Sequence, residues 1–567
     1  MEGTLPPDLA SRRDQIFPTL STQEISRLQR FGTSRSLAVG SQIVTAGSTV
    51  PGLQVLLTGE ALVKPRYDDR ETAVLRYGPG SLVGELSSLS GAAALVDVTA
   101  TTDATALLIP APRLRDLMVE EVELGERIMR ALILRRVWLL EVAVGGPIII
   151  GRESNRDVLR LETYLNRNGY PHRRFDPEQD RCALTLIERF TIQKDDLPIV
   201  LCPNGDLLRN PTEGQLARCL GLLRPISAEH IYDVAIVGAG PAGLGTAVYA
   251  ASEGLKVIVI DCRSFGGQAG ASARIENYLG FPTGIRGLSL MARAHTQAQK
   301  FGAETAIPAE VKSLQHFGTG RGFQLTLADG NSVRSRAVVI ASGAEYRQLP
   351  LANAPQYEGL SLHYWASPLE ARLCSAQEVV LVGGGNSAGQ AAVYLSEHAA
   401  KVWMIVRGSS LTSSMSEYLC ARIAAQPNIE VLLDCEVIEL LGDDGQLASV
   451  AWRNRRTNAT TSRAVHHIFL LIGADPNTSW LSECNVEVDA KGFVRADPFA
   501  ANGRLPFETS LPGVFAIGDI RAESVKRVAA AVGEGAQVVA ALHRYLAGVS
   551  ETTPAVVTPP LAMAQRQ

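Results

Sequence analysis

Two glycine-rich turns carry the residues best suited to chemistry. The first lies in YDVAIVGAGPAGLGTAVYAASEGLKVIVID, where Gly238, Gly240 and Gly243 stand between an apolar run and a small-residue helix, and Asp261 closes a second apolar run. A turn of this kind brings backbone N–H groups and a helix N-terminus up to a pyrophosphate. Gly238 supplies the tight turn, Gly240 the close backbone approach and Gly243 the close packing of helix on strand, while Asp261 suits a ribose hydroxyl pair. The second turn lies in EVVLVGGGNSAGQAAVYLSEHAAKVWMIVRG. Gly383, Gly385 and Ala388 take the same roles, Asn386 and Ser387 open the helix, and Arg407 ends the second strand. Arg407 stands where the first unit has Asp261, and a guanidinium there suits a 2′-phosphate that a carboxylate would repel. Two bound dinucleotides are therefore expected, with NADPH favoured over NADH at the second turn.

Near the C-terminus, LPGVFAIGDIRAESVKRVAAAVGEGAQ offers a strand into Gly518-Asp519 and then a helix. Together with FGGQAGASARIENYLGFP, VVIASGAEYR, LVGGGNSAGQAAVYL and LIGADPNT, it makes residues 230–548 resemble thioredoxin reductase. The resemblance implies an FAD domain in two segments, 230–345 and 473–548, with an NAD(P)H domain at 346–472 inserted between them, on a homodimeric scaffold. It adds Gly267, Gln268, Asn277, Gly518, Asp519, Arg527, Val528 and Ala529 to the expected FAD site. It also implies that the inserted domain rotates to carry nicotinamide to the flavin.

The departure from that family matters more. Where a thioredoxin reductase has Tyr-Cys-Ala-Thr-Cys, this sequence has Tyr364-Trp365-Ala366-Ser367-Pro368. Disulfide exchange needs an attacking thiolate, and Cys374, the nearest, stands alone beyond Pro368. The expected reaction is hydride transfer from NADPH to FAD, with no acid, base or nucleophile from a side chain. Electrons then pass to a ferredoxin, flavodoxin, quinone, small molecule or oxygen. Thioredoxin-reductase-like ferredoxin reductases also lack the cysteine pair. Trp365 is the candidate flavin-side residue, either covering the flavin or filling the space the cysteines leave.

The elements before residue 230 read as two further units. Residues 37–109 alternate short strands with glycine turns, a pattern of a small antiparallel roll. Leu114–Glu141 follows as a helical run with apolar residues at helical spacing, a packing or dimer face. LVGELSSLSGAAALVDVTA at 82–100 makes residues 1–143 resemble the cyclic-nucleotide-binding domain family. In that family the turn at Gly84, Glu85 and Leu86 would offer backbone N–H groups and, in Glu85, a ribose-binding carboxylate, but Ala94 holds the place of the phosphate-binding Arg. Losing such a bond is worth about 1.5–3 kcal/mol, so cyclic-nucleotide binding is expected to be weak. Residues 147–223 run strand, helix, polar stretch, strand and helix in thioredoxin-like order. Leu197-Pro198 looks like that fold's cis-proline, and Glu153-Ser154-Asn155 stands where a CxxC would be.

The expected architecture is thus α/β: two Rossmann-like domains for FAD and NADPH, preceded by a cyclic-nucleotide-binding-like roll and a thioredoxin-like domain, with a flexible tail at 549–567. Over 567 residues, 46% hydrophobic and 20% charged with 51 Gly and 29 Pro, the composition is that of several folded domains. A net charge of −4 supplies no field for nucleic acid. Cys182, Cys202, Cys219, Cys262, Cys374, Cys420, Cys435 and Cys484 form no CxxC, so no metal site is expected and Cys182, Cys202 and Cys219 read as buried thiols without close partners. No signal segment or bilayer-length apolar run is visible, which places the chain in a reducing cytoplasm, off the membrane. Two other functions fit the same residues. One is an effector-binding sensor that uses the flavin module to read NAD(P)H state. The other is an assembly module whose nucleotide motifs serve stability alone.

Overall fold

The computed structural model describes residues 11–64, 75–84, 86–90, 92–141, 145–178, 180, 183–184, 187, 196–223, 226, 230–318, 321–499 and 503–552. Among these, the N-terminal roll is two four-stranded antiparallel sheets. Its C-terminal helical run is broken: helices Ala111–Glu120 and Val122–Glu141 meet at Glu121, which leaves helical geometry at φ −112°, ψ 71°. The expected single helix is therefore two. Arg30 reaches the Glu121 carboxylate at 2.8 Å and Arg27 joins it, while Gly125 lets the second helix pack directly on Met118.

The next unit has a four-stranded sheet in the order Arg173–Phe175, Ile148–Ile150, Ile199–Leu201, Leu207–Arg209, the first pair parallel and the others antiparallel. The Leu197-Pro198 peptide is cis. Helix Arg156–Arg167 starts because the Asn155 side chain accepts from the N–H groups of Asp157 and Val158, and it stops where Gly169 takes φ +62°. It buries Val158, Leu159, Leu161 and Leu165, and one core joins this face to the roll through Leu95, Val98, Trp138 and Leu139. Two of the thiols read as unpartnered are joined: Cys202 and Cys219 form a disulfide across 17 positions. The end of the central strand and the end of helix Glu213–Cys219 meet only in the folded unit, so sequence spacing carries no sign of it. Cys182 and Glu85 lie outside the described residues.

The outer nucleotide lobe is a seven-stranded sheet with Ile231–Val237 between Val257–Ile260 and Ser332–Ile340, all parallel. The C-terminal segment returns to it, Val514–Ala516 pairing parallel with Val338–Ile340. Helix Pro241–Ser252 packs on helix Val528–Thr552, where a Cβ on Gly535 would lie 2.5 Å from the Ala242 carbonyl oxygen. That closing helix extends past residue 549, where a tail was expected, and 553–567 lie outside the described residues. The inserted lobe has a five-stranded parallel sheet and a three-stranded antiparallel one. Ala344–Tyr346 pairs antiparallel with Ala474–Pro476 where the chain enters and leaves it. Among the described residues no helix is long and apolar enough to cross a membrane.

Candidate functional site

Both lobes open onto one cavity of about 420 Å³. Gly240, Asp261, Gly267, Gln268 and Asn277 line it from the first segment of the outer lobe, and Asp519, Arg527, Val528 and Ala529 from the second. Trp365, Asn386 and Ser387 line it from the inserted lobe. Gly238, Gly243 and Gly518 stand behind this wall and shape the backbone. Gly238 has φ +113° and packs on the Ala341 carbonyl, while a Cβ on Gly243 would overlap the Gly238 carbonyl oxygen. Gly518 has φ +73°, and its N–H donates to Glu534 at 2.6 Å. The Glu534 carboxylate also holds the buried Arg521 at 2.5 Å.

Gly240 caps helix Pro241–Ser252, and Gly267 faces it so closely that a Cβ on Gly267 would lie 3.1 Å from the Gly240 Cα. The two glycines leave a cradle that a side chain would fill, as a pyrophosphate at this helix N-terminus requires. The Asp261 carboxylate is already engaged by backbone amides: Ala239 at 2.9 Å, Arg263 at 3.0 Å and Ser264 at 3.2 Å. A carboxylate has about four acceptor positions, so one remains for a ribose hydroxyl. Asp519 is held above the usual carboxylate range by burial, against the opposing pull of Lys526. Gln268 is fixed by donating to the Ala344 carbonyl at 2.6 Å.

Gly383, Gly385, Ala388 and Arg407 do not line this cavity. Gly383 has φ +147° and Gly385 caps helix Asn386–Ser396, so the second turn has the expected form. Asn386 accepts from the Ser416 N–H at 2.7 Å. Arg407 is exposed at the strand end, and its carbonyl accepts from Arg455 at 3.5 Å. Arg455 is a second cation at this edge that sequence spacing did not reveal.

The Tyr364–Pro368 segment is organised around one buried carboxylate, Glu370. Ser367 and Glu370 form a capping box that starts helix Pro368–Leu373, with Pro368 at its first position. Glu370 is 4% exposed, and burial raises its pKa although Ser367 and Trp365 donate to it. Trp365 Nε1 reaches its carboxylate at 3.1 Å. Tyr346, 6.2 Å from Trp365 between ring centres, is pushed up to about 12 by burial. Cys374 is fully buried and pushed up to about 11 by burial, and no described residue of the cavity wall is a cysteine.

The roll has a separate apolar cavity of about 40 Å³, lined by Ala94 with Tyr77, Trp138 and Leu139. Sequence proximity suggested no basic group there. Arg135, 3% exposed, nonetheless reaches in from helix Val122–Glu141, donating to the carbonyls of Ile16 at 2.9 Å and of Leu82 and Gly84 at 2.8 Å. It was missed because the helix crosses back over the barrel from outside the barrel segment.

Residues 232–535 match the pyridine nucleotide-disulphide oxidoreductase family, and residues 34–121 match the cyclic nucleotide-binding domain. The chain is 30% identical over 325 residues to the thioredoxin reductase of Listeria innocua, covering 57% of this chain and 97% of that one. It is 32% identical over 360 residues to NADPH-dependent thioredoxin reductase 3 of Arabidopsis thaliana, covering 60% of this chain and 65% of that one. The crystal structure of T. acidophilum thioredoxin reductase superposes with a TM-score of 0.52 at 30% identity, covering 57% of this chain and all of that one.

Proposed function

The chain belongs to the pyridine nucleotide-disulphide oxidoreductase family, and from that premise we propose that it is an NADPH-oxidising flavoprotein whose electron acceptor is not a protein disulfide. Thioredoxin reductases of this family use FAD and NADPH. FAD, when bound, accepts hydride from NADPH and hands the electrons to the acceptor. The observation that carries the acceptor assignment is Trp365 and Pro368 in place of the redox cysteines, with Cys374 buried and its thiolate disfavoured.

The chain's own groups have separable tasks in this reading. The N-terminus of helix Pro241–Ser252, between Gly238 and Gly243, receives the FAD pyrophosphate, and the free acceptor position of Asp261 takes a ribose hydroxyl. Gln268, Asn277, Asp519 and the start of the closing helix at Arg527, Val528 and Ala529 orient the flavin. Gly383, Gly385, Asn386, Ser387 and Ala388 hold the coenzyme, with Arg407 and Arg455 on its 2′-phosphate. The outer lobe is then the FAD domain, 230–345 with 473–548, the inserted lobe 346–472 the NADPH domain, and the working unit a homodimer. The roll binds cyclic nucleotides weakly at most, because Ala94 offers no phosphate contact and the Arg135 guanidinium is committed to the carbonyls of Ile16, Leu82 and Gly84.

Anaerobic reduction by NADPH and by NADH, followed by reoxidation with a panel of acceptors, tests the proposal. The expected protein is yellow, bleaches on NADPH and reoxidises with a small molecule or one-electron carrier but not with thioredoxin. Thiol counting after reduction should find Cys202–Cys219 intact. Turnover of thioredoxin at the rate of a thioredoxin reductase would overturn the acceptor assignment.

A further inference from the structure

Helix Arg156–Arg167 ends in a contact that neither glycine turn requires. Arg167 Nη2 donates to the Gly267 carbonyl at 2.9 Å, and its guanidinium carbon lies 5.4 Å from the centre of the Trp365 ring. Gly267 belongs to the outer lobe, Trp365 to the inserted lobe, and Arg167 to the thioredoxin-like unit, so one side chain ties three units together. The surrounding contacts follow the same line. Asn168 Nδ2 donates to the Arg263 carbonyl at 3.4 Å on the outer lobe, and Glu153 faces Arg372 at 3.4 Å on the inserted lobe.

Trp365 also donates its indole N–H to Glu370, and both Trp365 and Gly267 line the large cavity, whereas Arg167 does not. Arg167 Nε is buried and, among the described residues, has no hydrogen-bond partner. Burying a guanidinium edge without a partner opposes folding, and an apolar side chain of similar length would avoid it. What only the guanidinium supplies is a planar cation to stack on indole together with a donor for the Gly267 carbonyl.

We infer that Arg167 is a positioning residue that holds Trp365 closed over the flavin cavity and staples the inserted lobe to the outer one, so that the N-terminal half sets how far the flavin is open to a small-molecule acceptor. This rests on the flavin reading above. The thioredoxin-like unit covers the Trp365–Gly267 face, which closes that approach to a protein acceptor. Because Leu161 and Leu165 of the same helix share a core with Leu95, Val98 and Trp138 of the roll, movement in the roll is transmitted to Arg167 through packed side chains.

The test uses the full chain with Arg167→Met, which keeps packing volume, and Arg167→Lys, which keeps charge without the planar face. Glu153→Gln, at the same interface but away from the cavity, is the control. Iodide quenching of bound-flavin fluorescence and hydrogen exchange of the 364–368 backbone are measured beside the stopped-flow rate of flavin reduction. Arg167→Met is expected to raise quenching and exchange about two- to fivefold, the size of one cation–π contact, with only partial rescue by Lys. Glu153→Gln should change neither. Unchanged exchange at 364–368 in Arg167→Met overturns the inference, as does an equal rise in Glu153→Gln. Exchange reads the clamp with or without flavin, so a colourless protein with raised exchange would sink the flavin reading and leave the clamp standing.

Discussion

At the first glycine turn a methyl group on Gly243 would overlap the Gly238 carbonyl oxygen, whereas at the second turn Ala388 carries that methyl in the same place. A Cβ on Gly267 would press to 3.1 Å from the Gly240 Cα, although one on Gly240 would come no nearer than 3.9 Å to Gly267, while a Cβ on Gly385 would meet nothing within 4 Å. Asp261 is locked by three backbone amides, and Arg407 stands exposed. Both turns are tight at their first glycine, Gly238 and Gly383, but the first site is also closed at Gly243 and Asp261, whereas the second is open at Gly385 and Arg407. That is the difference expected between a resident cofactor, whose loss would idle the protein, and a coenzyme that must come and go at each turnover.

The comparison breaks most visibly at its tightest point. Gly243→Ala should displace the turn, costing about 3 kcal/mol and releasing the flavin, because backbone rather than a flexible side chain blocks the new methyl. The mirror change, Ala388→Gly, should cost only about 1 kcal/mol of helix stability and leave flavin content alone. Flavin absorbance after gel filtration and thermal melting check both. A yellow, stable Gly243→Ala protein would show that the two turns are equally tolerant.

A second difference lies in buried histidines. His363 Nε2 and His467 Nδ1 lie 3.1 Å apart in the inserted lobe, and burial pushes them down to about 3 and about 4. The outer lobe has His295 stacked on Phe265, also pushed down by burial to about 4. All three stay neutral in the fold, while the unfolded chain takes up protons near pH 6.5. Their stabilisation is therefore full above pH 6.5 and is lost as pH falls towards 4, at up to about 1.4 kcal/mol per pH unit for each proton. The inserted lobe should lose stability faster, and His467→Gln should flatten its slope in melts between pH 7 and 4.

The linear sequence discloses what is local at both turns and little of what lies between distant elements. The glycine turns and the acid and the base that end their second strands are local patterns, and the structure sets each turn between a strand and a helix N-terminus and each charge just past a strand end. Five contacts were not legible: the Cys202–Cys219 bond, Arg135 crossing into the roll, Glu370 anchoring Trp365, Arg167 reaching Gly267, and Arg455 beside the Arg407 strand end. The Glu370 contact spans only five residues, but it depends on a capping box turning the carboxylate back under the indole. The Cys202–Cys219, Arg135 and Arg455 contacts depend on which distant elements of one unit meet, and the Arg167 contact on which faces of separate units do. Burial and periodicity fix that a helix such as Arg156–Arg167 packs, but not what its last side chain touches beyond its own unit. The two short strands Arg173–Phe175 and Leu207–Arg209 were missed for a simpler reason: three residues are too few for alternation to register.

Arg407 and Arg455 sharpen the comparison at its open end. Arg407→Ala should reduce the NADPH over NADH preference in kcat/KM by about ten- to a hundredfold, the worth of one charge-assisted contact of about 1.5–3 kcal/mol. A wild-type protein that reduces equally fast with NADH would show that this strand end faces elsewhere, while the flavin assignment stood.

Arg455→Ala should do less. Its Nη1 donates to the Arg407 carbonyl at 3.5 Å and its Nε lies 3.6 Å from Glu436, a carboxylate that Arg453 holds at 2.8 Å and whose pKa lies low because of that Arg453 bond. Half-exposed and shared with an acid, Arg455 acts on a phosphate largely through screened charge, so its removal should cost only a few-fold in NADPH KM, with kcat unchanged. Raising ionic strength should shrink the Arg455 effect more than the Arg407 effect, because only the direct contact excludes the screening ions. Steady-state kinetics of both variants at low and high salt measure this. Equal salt sensitivity would place both guanidiniums at the same distance from the phosphate and make the site a two-arginine clamp, closed more like the first turn than its geometry shows.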